Sequence, residues 1–374
     1  MQFATPEAAM RHALAAAALG QGRVEPNPMV GAVVLDADGN LVGEGFHERF
    51  GGPHAEIVAL RQAGPNARGG TLFVTLEPCA HFGKTPPCAP EVVRAGVRRV
   101  YVAVADPFPV VAGRGFEILR EAGIEVHLGL LEPEGRRLLA PYLKLTTAGI
   151  PWVHAKWAMT IDGRIATASG DSQWISSTRS RAIVHELRGR VDAVVVGIST
   201  ALHDDPLLTA RPSGPRTATR IVFDRTARLP VECQLVKSAQ AFPLIVATGS
   251  EAPSERVSAL ESAGVEVLRC GDGRSGAGMV RSVLEELGAR RMTNVLVEGG
   301  GQLLGSFFDA GQVDEAHVFL GPRVIGSAAA PGPVSGRGRD RLAEAATFRL
   351  DGVEWLDDDV YLHYRTEAGR TPNV

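Results

Sequence analysis

Short apolar runs that alternate with amphipathic stretches most restrict what this chain can fold into. In the first third, "VGAVVLDADGNLVGEGFH" places two apolar runs around "DADGN", which predicts a β-hairpin. A helix from about His54 and the strands "TLFVTL", "RRVYVAVAD" and "IEVHLG" follow, with short helices between them, one of them after Gly115. Strands that alternate with helices predict an α/β layered fold.

The pattern pauses at a glycine and a proline within "LKLTTAGIPWV", residues 143–153, and then begins again. Six further apolar runs, from "WVHAKWAM" to "TNVLVEGGG", alternate with helical segments and predict a mostly parallel sheet. The final runs "EAHVFLGP" and "DVYLHYRT" predict an antiparallel edge. We therefore predict two domains, residues 1–146 and 147–368.

Composition favours small substrates. The 374 residues carry a net charge of -3, which offers no broad cationic field for binding a nucleic acid. The opening segment predicts a helix that starts near Thr5 and Pro6 rather than a signal peptide, and no window has the length of a membrane span, so we expect a cytoplasmic protein. Four unevenly spaced cysteines are too few for a disulfide framework.

A histidine and a glutamate open the helix in "GGPHAEIVAL". Residues two apart do not lie on the same side of a helix. The side chains of His54 and Glu56 can therefore reach a common site only if it lies near the end of the helix. The strand "TLFVTL" then runs into "EPCAHFGKTPPC", which contributes Cys79 and Cys88. One nitrogen and two sulfur ligands leave a fourth tetrahedral position for water, which is typical of catalytic rather than structural zinc.

This constellation suits hydrolytic deamination, with Glu56 as the proton shuttle. Zinc lowers the pKa of bound water from about 15.7 to about 7. Glu56 would carry a proton from water to the departing amine, which is typically worth about a hundred- to ten-thousand-fold in rate. An HxE motif followed by PCxxC is the signature of zinc nucleobase deaminases. A buried histidine capped by a glutamate would explain the tripeptide HAE alone, but not the two cysteines.

The segment between the cysteines is longer than in that signature. Its eight residues, "AHFGKTPP", contain His81 and Lys84, which face either an anionic substrate or only solvent. Its "GKT" is not a P-loop, because Pro78 stands where that motif needs glycine. Later, "NVLVEGGGQLLGSFF" is a strand, a glycine turn and a helix that could bind phosphate at its N-terminus. It lacks the GxGxxG pattern, so a turn that only packs stays equally open.

Several of these stretches together resemble the bifunctional riboflavin biosynthesis deaminase/reductase family. They are "PNPMVGAVV", "GEGFHERFGGPHAE", "TLEPCAHFGKTPPC" and "ADPFPVVAGRG" in the first domain, and "AKWAMTIDGRIATASGDSQWIS", "LRGRVDAVVVG", "DDPLLTAR" and "VEGGGQLLGSFFDAGQVDE" in the second. The resemblance implies a cytidine-deaminase-like three-layer domain followed by a dihydrofolate-reductase-like domain. Ala80 and Phe82 depart from residues common in the family, with an expected effect on packing but not on metal chemistry.

The implied reactions are consecutive. The first is hydrolytic deamination of 2,5-diamino-6-(5-phosphoribosylamino)pyrimidin-4-one to 5-amino-6-(5-phosphoribosylamino)uracil. The second is NADPH-dependent reduction of the ribosyl group to ribityl. For the first domain, the resemblance implies Zn²⁺ on His54, Cys79 and Cys88 with Glu56 as acid/base. The implied pyrimidine and ribose-phosphate pocket comprises Asn27, His81, Lys84 and Asp106.

For the second domain, the resemblance implies an NADPH site and a substrate site. The NADPH site comprises Ala158, Trp174, Thr200, Asp204, Gly300, Gly301, Gln302, Leu303, Leu304, Gly305 and Ser306. The substrate site comprises Ser172, Arg188, Leu208, Arg211 and Glu298, with both arginines as candidate bidentate phosphate clamps. Lys156 and Asp204 are candidates for substrate polarisation and proton delivery. Asp204 and Asp205 could instead only shape a turn, and Trp174 could be core.

Two other functions remain as alternatives at this point. One is a tRNA or nucleic-acid base deaminase, which the mild acidity disfavours. The other is a binding module in which zinc only holds the fold and the glycine turn senses a nucleotide. The interpretation we favour is a homo-oligomeric enzyme that acts on a small pyrimidine ribosyl phosphate and binds neither nucleic acid nor membrane.

Overall fold

The computed structural model describes residues 1–270 and 276–366. The chain divides into two compact units, Met1–Gly149 and a second that begins at Ile150. The division predicted after residue 146 lies in the last turn of a helix that ends at Ala148, and the predicted end at residue 368 lies outside the described residues. Within the two described ranges, no helix combines the length and the apolar character that crossing a bilayer requires.

The first unit begins with a capped helix and a hairpin, as the sequence predicts. Thr5 accepts a hydrogen bond from the backbone amide of Ala8 at 3.3 Å, and Pro6 occupies the first helical turn. The helices of this unit are α1 (Pro6–Ala18), α2 (Ala55–Ala63), α3 (Cys88–Ala95), α4 (Arg114–Glu121) and α5 (Glu132–Ala148). The strands are β1 (Gly31–Leu35), β2 (Leu41–Phe46), β3 (Thr71–Leu76), β4 (Arg99–Val104) and β5 (Glu125–Leu128).

Helices cover both faces of the five-stranded sheet of the first unit. The strand order is β2-β1-β3-β4-β5, antiparallel at β2-β1-β3 and parallel at β3-β4-β5. Gly31 lies against the backbone of α1, whereas Gly45, opposite Ala32, lies against Val58 of α2. Because neighbouring residues of a strand point to opposite faces, α1 and α2 lie on opposite sides. The three-layer expectation is confirmed.

The second unit contains a nine-stranded sheet. Its strands are β6 (Trp152–Thr160), β7 (Ala193–Gly197), β8 (Thr219–Phe223), β9 (Leu244–Gly249), β10 (Glu266–Cys270), β11 (Asn294–Glu298), β12 (Glu315–Gly321), β13 (Arg349–Leu356) and β14 (Asp359–Arg365). Its helices are α6 (Thr178–Arg188), α7 (Ile198–Asp204), α8 (Gln234–Lys237), α9 (Ser254–Ser262), α10 (Gly276–Ala289) and α11 (Gly301–Asp309).

Seven strands of this sheet are parallel, in the order β10-β9-β8-β7-β11-β6-β12. β14 and β13 add an antiparallel edge beside β12, which confirms the predicted mixed sheet. The central strand β11 is buried along its whole length. Val295 and Val297 join the core on one face, and Leu296 joins the core on the other. A strand covered on both faces reads as a continuous apolar run, which explains the sequence "NVLV".

Candidate functional site

Three donor atoms converge in the first unit. His54 Nδ1 lies 3.5 Å from Cys79 Sγ and 3.3 Å from Cys88 Sγ. A tetrahedral zinc ion with bonds of about 2.3 Å to sulfur and about 2.0 Å to nitrogen separates such donors by roughly 3.5 Å. The geometry of the side chains therefore fits zinc without rearrangement. The other ring nitrogen of His54 faces the Thr85 hydroxyl at 3.4 Å, a partner that orients the ring.

Three element ends position these ligands. His54 is the N-cap residue of α2 but makes no side-chain capping bond, so its imidazole is available to a ligand. Cys79 follows the end of β3, and Cys88 is the first residue of α3. The backbone amide of Cys88 donates to Cys79 Sγ at 3.3 Å, which joins the two ends of the insert.

Glu56 is buried beside this triad. Its side chain is 3% exposed, and its Oε2 has no hydrogen-bond partner within the described part of the chain. Burial raises the pKa of Glu56 to about 7, whereas the charge of His54 opposes the rise. A carboxylate with this pKa can both accept and release a proton near neutral pH.

The two thiols differ in their ionisation. The hydrogen bond from Cys88 lowers the pKa of Cys79, and the same bond raises the pKa of Cys88. The hydrogen bond with Cys79 raises the pKa of His54, since it favours the charged imidazole. Cys79 is therefore the more readily deprotonated thiol, and the thiolate is the form that binds metal.

The predicted pocket residues surround the triad. The side-chain amide of Asn27 contacts His47 at 3.2 Å, and the His47 ring meets the His54 ring edge-on at 5.3 Å. Asp106 is buried, and its Oδ1 accepts from Tyr142 Oη and from the amide of Phe108, both at 2.9 Å.

The insert between the cysteines also contributes to the pocket. The His81 ring packs on Phe108 at 5.9 Å, and its buried Nδ1 has no partner in the described residues. Lys84 Nζ lies 4.0 Å from the centre of the Phe50 ring. The nearby charge of His81 acts on Asp106, whose pKa burial raises. The insert therefore brings the His81 imidazole close to Asp106 and places Lys84 against Phe50.

Glu77 is a site residue that the sequence did not predict. It is buried and accepts backbone hydrogen bonds from Asp106 at 3.3 Å, Gly113 at 3.2 Å and Gly115 at 3.1 Å. Gly115 lies so close that an added Cβ would come within 2.1 Å of the Pro78 carbonyl oxygen. Glu77 thus holds the segment that carries Asp106 against the zinc ligands. The sequence feature that could have identified Glu77 is its position between an apolar strand and the pair Pro78-Cys79.

The second unit has a cavity of about 720 Å³ at the carboxyl ends of its parallel strands. Twelve of the predicted residues line it, namely Lys156, Ala158, Ser172, Trp174, Arg188, Thr200, Asp204, Leu208, Arg211, Glu298, Gly300 and Leu304. Gly301, Gln302, Leu303 and Ser306 line an adjoining cavity of about 440 Å³, together with Thr200 and Gly300. Gly305 lines neither, because it packs against the backbone of Ser335 and Gly336.

The structure pairs Arg188, one of the two candidate phosphate clamps, with Glu298. Its guanidinium donates to both oxygens of Glu298, at 2.5 Å through Nε and 2.8 Å through Nη2. The fork that would bind phosphate is therefore occupied by a buried carboxylate. Burial lowers the pKa of Lys156, and the nearby charge of Glu298 opposes that fall. Lys156 thus has an acidic neighbour, as an ammonium group in an apolar strand requires.

The structure bears on the alternatives left open for three residues. Asp205 shapes a turn, because its Oδ1 accepts from the amide of Gln234 at 2.8 Å. Asp204 and Asp205 both line the cavity, and the role of Asp204 in the site stays a prediction. Trp174 is not core, because it is 58% exposed and stacks on the Arg181 guanidinium at 4.4 Å.

Two arginines that the sequence did not predict line the adjoining cavity. Arg225 and Arg228 follow β8 and face the glycine turn across this cavity. The buried carboxylate of Asp224 accepts from the backbone amides of Arg228 and Leu229, which fixes the loop. Gly299 and Gly300 both have φ of +78°, a conformation that glycine adopts without strain, and α11 begins directly after them. The arginine pair in "FDRTAR" was the missed signal.

Comparison with known proteins supports both units. A family described as the cytidine and deoxycytidylate deaminase zinc-binding region matches residues 4–104. The RibD C-terminal domain family matches residues 151–362, more than half of the chain. Zn²⁺ and NADPH are accordingly the cofactors of the two units.

Whole-length relatives show the same pairing of units. The chain is 40% identical to the riboflavin biosynthesis protein RibD of Aquifex aeolicus, over 95% of this chain and 97% of the relative. It is 38% identical to RibD of Escherichia coli, over 95% and 97%. The Thermotoga maritima diaminohydroxyphosphoribosylaminopyrimidine deaminase/5-amino-6-(5-phosphoribosylamino)uracil reductase superposes with a TM-score of 0.83 at 38% identity, over 96% of this chain and 98% of that one. The chain therefore belongs to the RibD family, the bifunctional deaminases and reductases of riboflavin biosynthesis.

Proposed function

We propose that His54, Cys79 and Cys88 hold the zinc of the deaminase and that Glu56 carries its proton. The observation that supports this assignment best is the convergence of three donors, at distances that suit tetrahedral zinc, beside a buried carboxylate oxygen with no partner among the described residues. Zinc bound there makes water acidic enough to attack at neutral pH. The substrate of both units is a small molecule.

The roles of the surrounding side chains follow from their positions. Glu56 accepts a proton from the attacking water and returns it to the amino group that leaves as ammonia. Burial keeps bulk water from this exchange, because Glu56 is almost inaccessible. Asn27, His81, Lys84 and Asp106 hold the pyrimidine and ribose phosphate, with Lys84 as the cation exposed at the pocket.

We assign the reductase chemistry to the larger cavity of the second unit. NADPH supplies the hydride that reduces the ribosyl C1′. Lys156 polarises the sugar oxygen, and Asp204 delivers a proton as the ring opens to ribityl. Glu298 keeps Lys156 charged, and Arg188 balances Glu298. The protein contributes orientation and charge, while the cofactor contributes the redox chemistry.

We assign the substrate to the larger cavity and NADPH to parts of both cavities. Ala158, Trp174, Thr200, Asp204 and the turn and helix from Gly300 to Ser306 hold NADPH, except that Gly305 acts by close packing alone. Ser172, Arg188, Leu208, Arg211 and Glu298 hold the substrate. Since the fork of Arg188 is engaged by Glu298, the exposed Arg211 is the phosphate clamp.

Single-site variants of the full-length protein test both halves of this proposal. Glu56→Gln should lower ammonia release by about a hundred- to ten-thousand-fold and leave the zinc content unchanged. It should still oxidise NADPH when the deaminated substrate is supplied. Lys156→Met should show the converse, with ammonia release intact and NADPH oxidation lost. Glu48→Gln, at an exposed glutamate in the same unit, is the matched control.

The outcomes separate this function from its alternatives. If Glu56→Gln deaminates normally, zinc only holds the fold. If the parent binds RNA with a steep salt dependence and deaminates it, the first unit is a nucleic-acid base deaminase. The cytoplasmic location and the homo-oligomer that binds neither nucleic acid nor membrane stay predictions.

A further inference from the structure

A second convergence of metal-binding side chains lies in the second unit. β6 contributes His154, β12 contributes Glu315 and His317, and β14 contributes His363. Glu315 pairs with His154, and His317 pairs with His363, so the four side chains share one face of the sheet. His154, Glu315 and His317 are buried, and the His363 side chain is 22% exposed. We call these four residues the histidine cluster.

The inward-facing atoms of the histidine cluster meet around one carboxylate oxygen. His154 Nδ1 and His317 Nε2 lie 3.1 Å apart. Glu315 Oε1 lies 3.6 Å from the first and 3.4 Å from the second. Neighbouring ligands of a tetrahedral ion with bonds of about 2.0–2.2 Å lie roughly 3.3–3.5 Å apart. The triangle of donors therefore has the dimensions of one face of such a site, and His363 Nε2 contacts the same Glu315 oxygen.

Each outward-facing atom of the histidine cluster has its own partner. His154 Nε2 faces Asn294 Oδ1 at 3.1 Å, and His317 Nδ1 faces Tyr361 Oη at 2.6 Å. His363 Nδ1 lies 3.2 Å from a carboxylate oxygen of Asp351. Glu315 Oε2 accepts from the Trp152 indole at 2.9 Å. Metal-binding histidines characteristically have such a second layer of partners, which fixes the ring and the tautomer.

Protons hold the centre of the histidine cluster together at the positions that a cation would take. Tyr361 Oη donates to His317 Nδ1 in the tautomer that lets His317 Nε2 donate to His154 Nδ1, while His154 Nε2 donates to Asn294 Oδ1. Three imidazole nitrogens approach one carboxylate oxygen of Glu315, and Arg365 Nε lies 3.4 Å from the other oxygen. The lone pairs that share these protons are the ones that bind a metal ion in their place.

We propose that the histidine cluster binds a divalent transition-metal ion, with Zn²⁺ as the natural occupant. Three imidazoles and one carboxylate are nitrogen and oxygen donors that suit zinc, and four protein ligands make a closed, structural site. His363 becomes the fourth ligand when the ion takes the place of the proton that it shares with Glu315. The ion ties the antiparallel edge strand β14 through β12 to the parallel strand β6. This site is separate from the deaminase triad, and its occupation does not depend on the function proposed above.

Cobalt titration of the metal-stripped, full-length protein tests this proposal. Thiolate ligation of Co²⁺ produces a charge-transfer absorption, whereas imidazole and carboxylate ligation produces d–d bands alone. The parent should bind two equivalents of Co²⁺, one with the thiolate charge-transfer absorption and one with d–d bands alone. The double variant Cys79→Ser/Cys88→Ser should keep the thiolate-free site. Glu315→Gln, which preserves the side-chain shape, should keep only the thiolate site. His127→Gln, at a partly exposed histidine of the first unit, should keep both.

Thermal unfolding provides a second measurement that does not depend on spectra. Added Zn²⁺ should raise the melting temperature of the double cysteine variant, and it should not raise that of the same variant carrying Glu315→Gln. His363→Gln, at the least buried ligand, should weaken Co²⁺ binding by about tenfold or more without unfolding the chain. Failure of the double cysteine variant to bind Co²⁺ would overturn the proposal, as would retention of both equivalents by Glu315→Gln.

Discussion

At the scale of single residues, Glu56 shows how burial prepares a side chain for proton transfer. A carboxylate that loses water on burial favours its neutral form, which is why the pKa of Glu56 rises to about 7. Its position in the first turn of α2 puts it beside His54, whose ring nitrogen faces both sulfurs. The same burial that prepares the residue for catalysis destabilises the folded protein when the carboxylate is charged.

This cost predicts a pH dependence for the metal-free protein. Because the folded pKa of Glu56 lies above its usual 4.5, the stabilisation linked to its proton is complete below about pH 4.5 and is lost as the pH rises through about 7. Between pH 5 and 8 the free energy of unfolding of the parent should fall by roughly 2–3 kcal/mol relative to that of Glu56→Gln, whose side chain does not titrate. Hydrogen exchange of the α2 and β3 amides in chelator-treated protein measures the difference. Parallel pH profiles of the two proteins would contradict this expectation.

At the scale of elements, strand ends determine both sites. Glu77 lies directly after β3 and holds the start of α4 through the amides of Gly113 and Gly115. β8 ends at Phe223 and is followed by Asp224, whose buried carboxylate orients Arg225 and Arg228 toward the glycine turn. In both cases, a buried acid after a strand fixes the loop that carries ligand-binding groups.

Removal of the Glu77 carboxylate should therefore disturb the deaminase without removing its metal. Glu77→Ala leaves three backbone amides without their acceptor and should lower the stability of the first unit by roughly 2–4 kcal/mol. The KM for the diaminopyrimidine should rise, while the zinc content stays at the parental level. Glu117→Ala, at an exposed glutamate of α4, is the control for steady-state kinetics. Loss of zinc from Glu77→Ala would instead place this residue among the determinants of the metal site.

Arg225 is predicted to select NADPH over NADH. Arg225 and Arg228 both line the cavity beside the glycine turn, but Arg228 Nε is paired with the Asp224 carboxylate at 3.3 Å. Arg225 is therefore the candidate cation for the 2′-phosphate, the group that distinguishes the two cofactors. Arg225→Ala should raise the KM for NADPH by about 10- to 100-fold and leave the KM for NADH nearly unchanged. Arg269→Ala, at an exposed arginine outside this cavity, should change neither value. Equal increases in the KM for NADPH and for NADH would show that Arg225 contacts the part of the dinucleotide that both cofactors share.

α5 shows where prediction from local patterns fails. The sequence "EPEGRRLLAPYLKLTTA" contains Gly135 and Pro141, both of which disfavour a helix, and no helix is predicted there. The structure forms one because Gly135 packs closely on Ala103 and Val104 of β4. The hairpin, the parallel strands and α2 carry no such conflict, and their prediction is confirmed.

At the scale of the whole molecule, two units carry two separate chemistries. The apolar core of the first unit and the two cores on either side of the second sheet share no residues. The proposed proton carrier Glu56 belongs to the first unit, and the proposed reductase residues Lys156 and Asp204 belong to the second. Separate active units predict that defects in the two activities complement each other between molecules.

A mixture of the Glu56→Gln and Lys156→Met proteins tests this expectation. Neither protein alone should convert the diaminopyrimidine ribosyl phosphate into the ribityl product. Together they should do so, because the Lys156→Met chain deaminates and the Glu56→Gln chain reduces. Product formation with NADPH oxidation is the measurement. A mixture that releases ammonia but oxidises no NADPH would show that the intermediate does not pass between molecules.

The sequence by itself determined the alternation of strands and helices and the choice of the three proposed zinc ligands. Both are local properties, since side-chain period reports secondary structure and the chemistry of His54, Cys79 and Cys88 is visible in two short motifs. Only the tertiary structure decided that Glu298 occupies the fork of Arg188, that Arg225 faces the glycine turn and that His154 meets Glu315. These residues lie far apart along the chain, and the order and register of the strands alone bring them together.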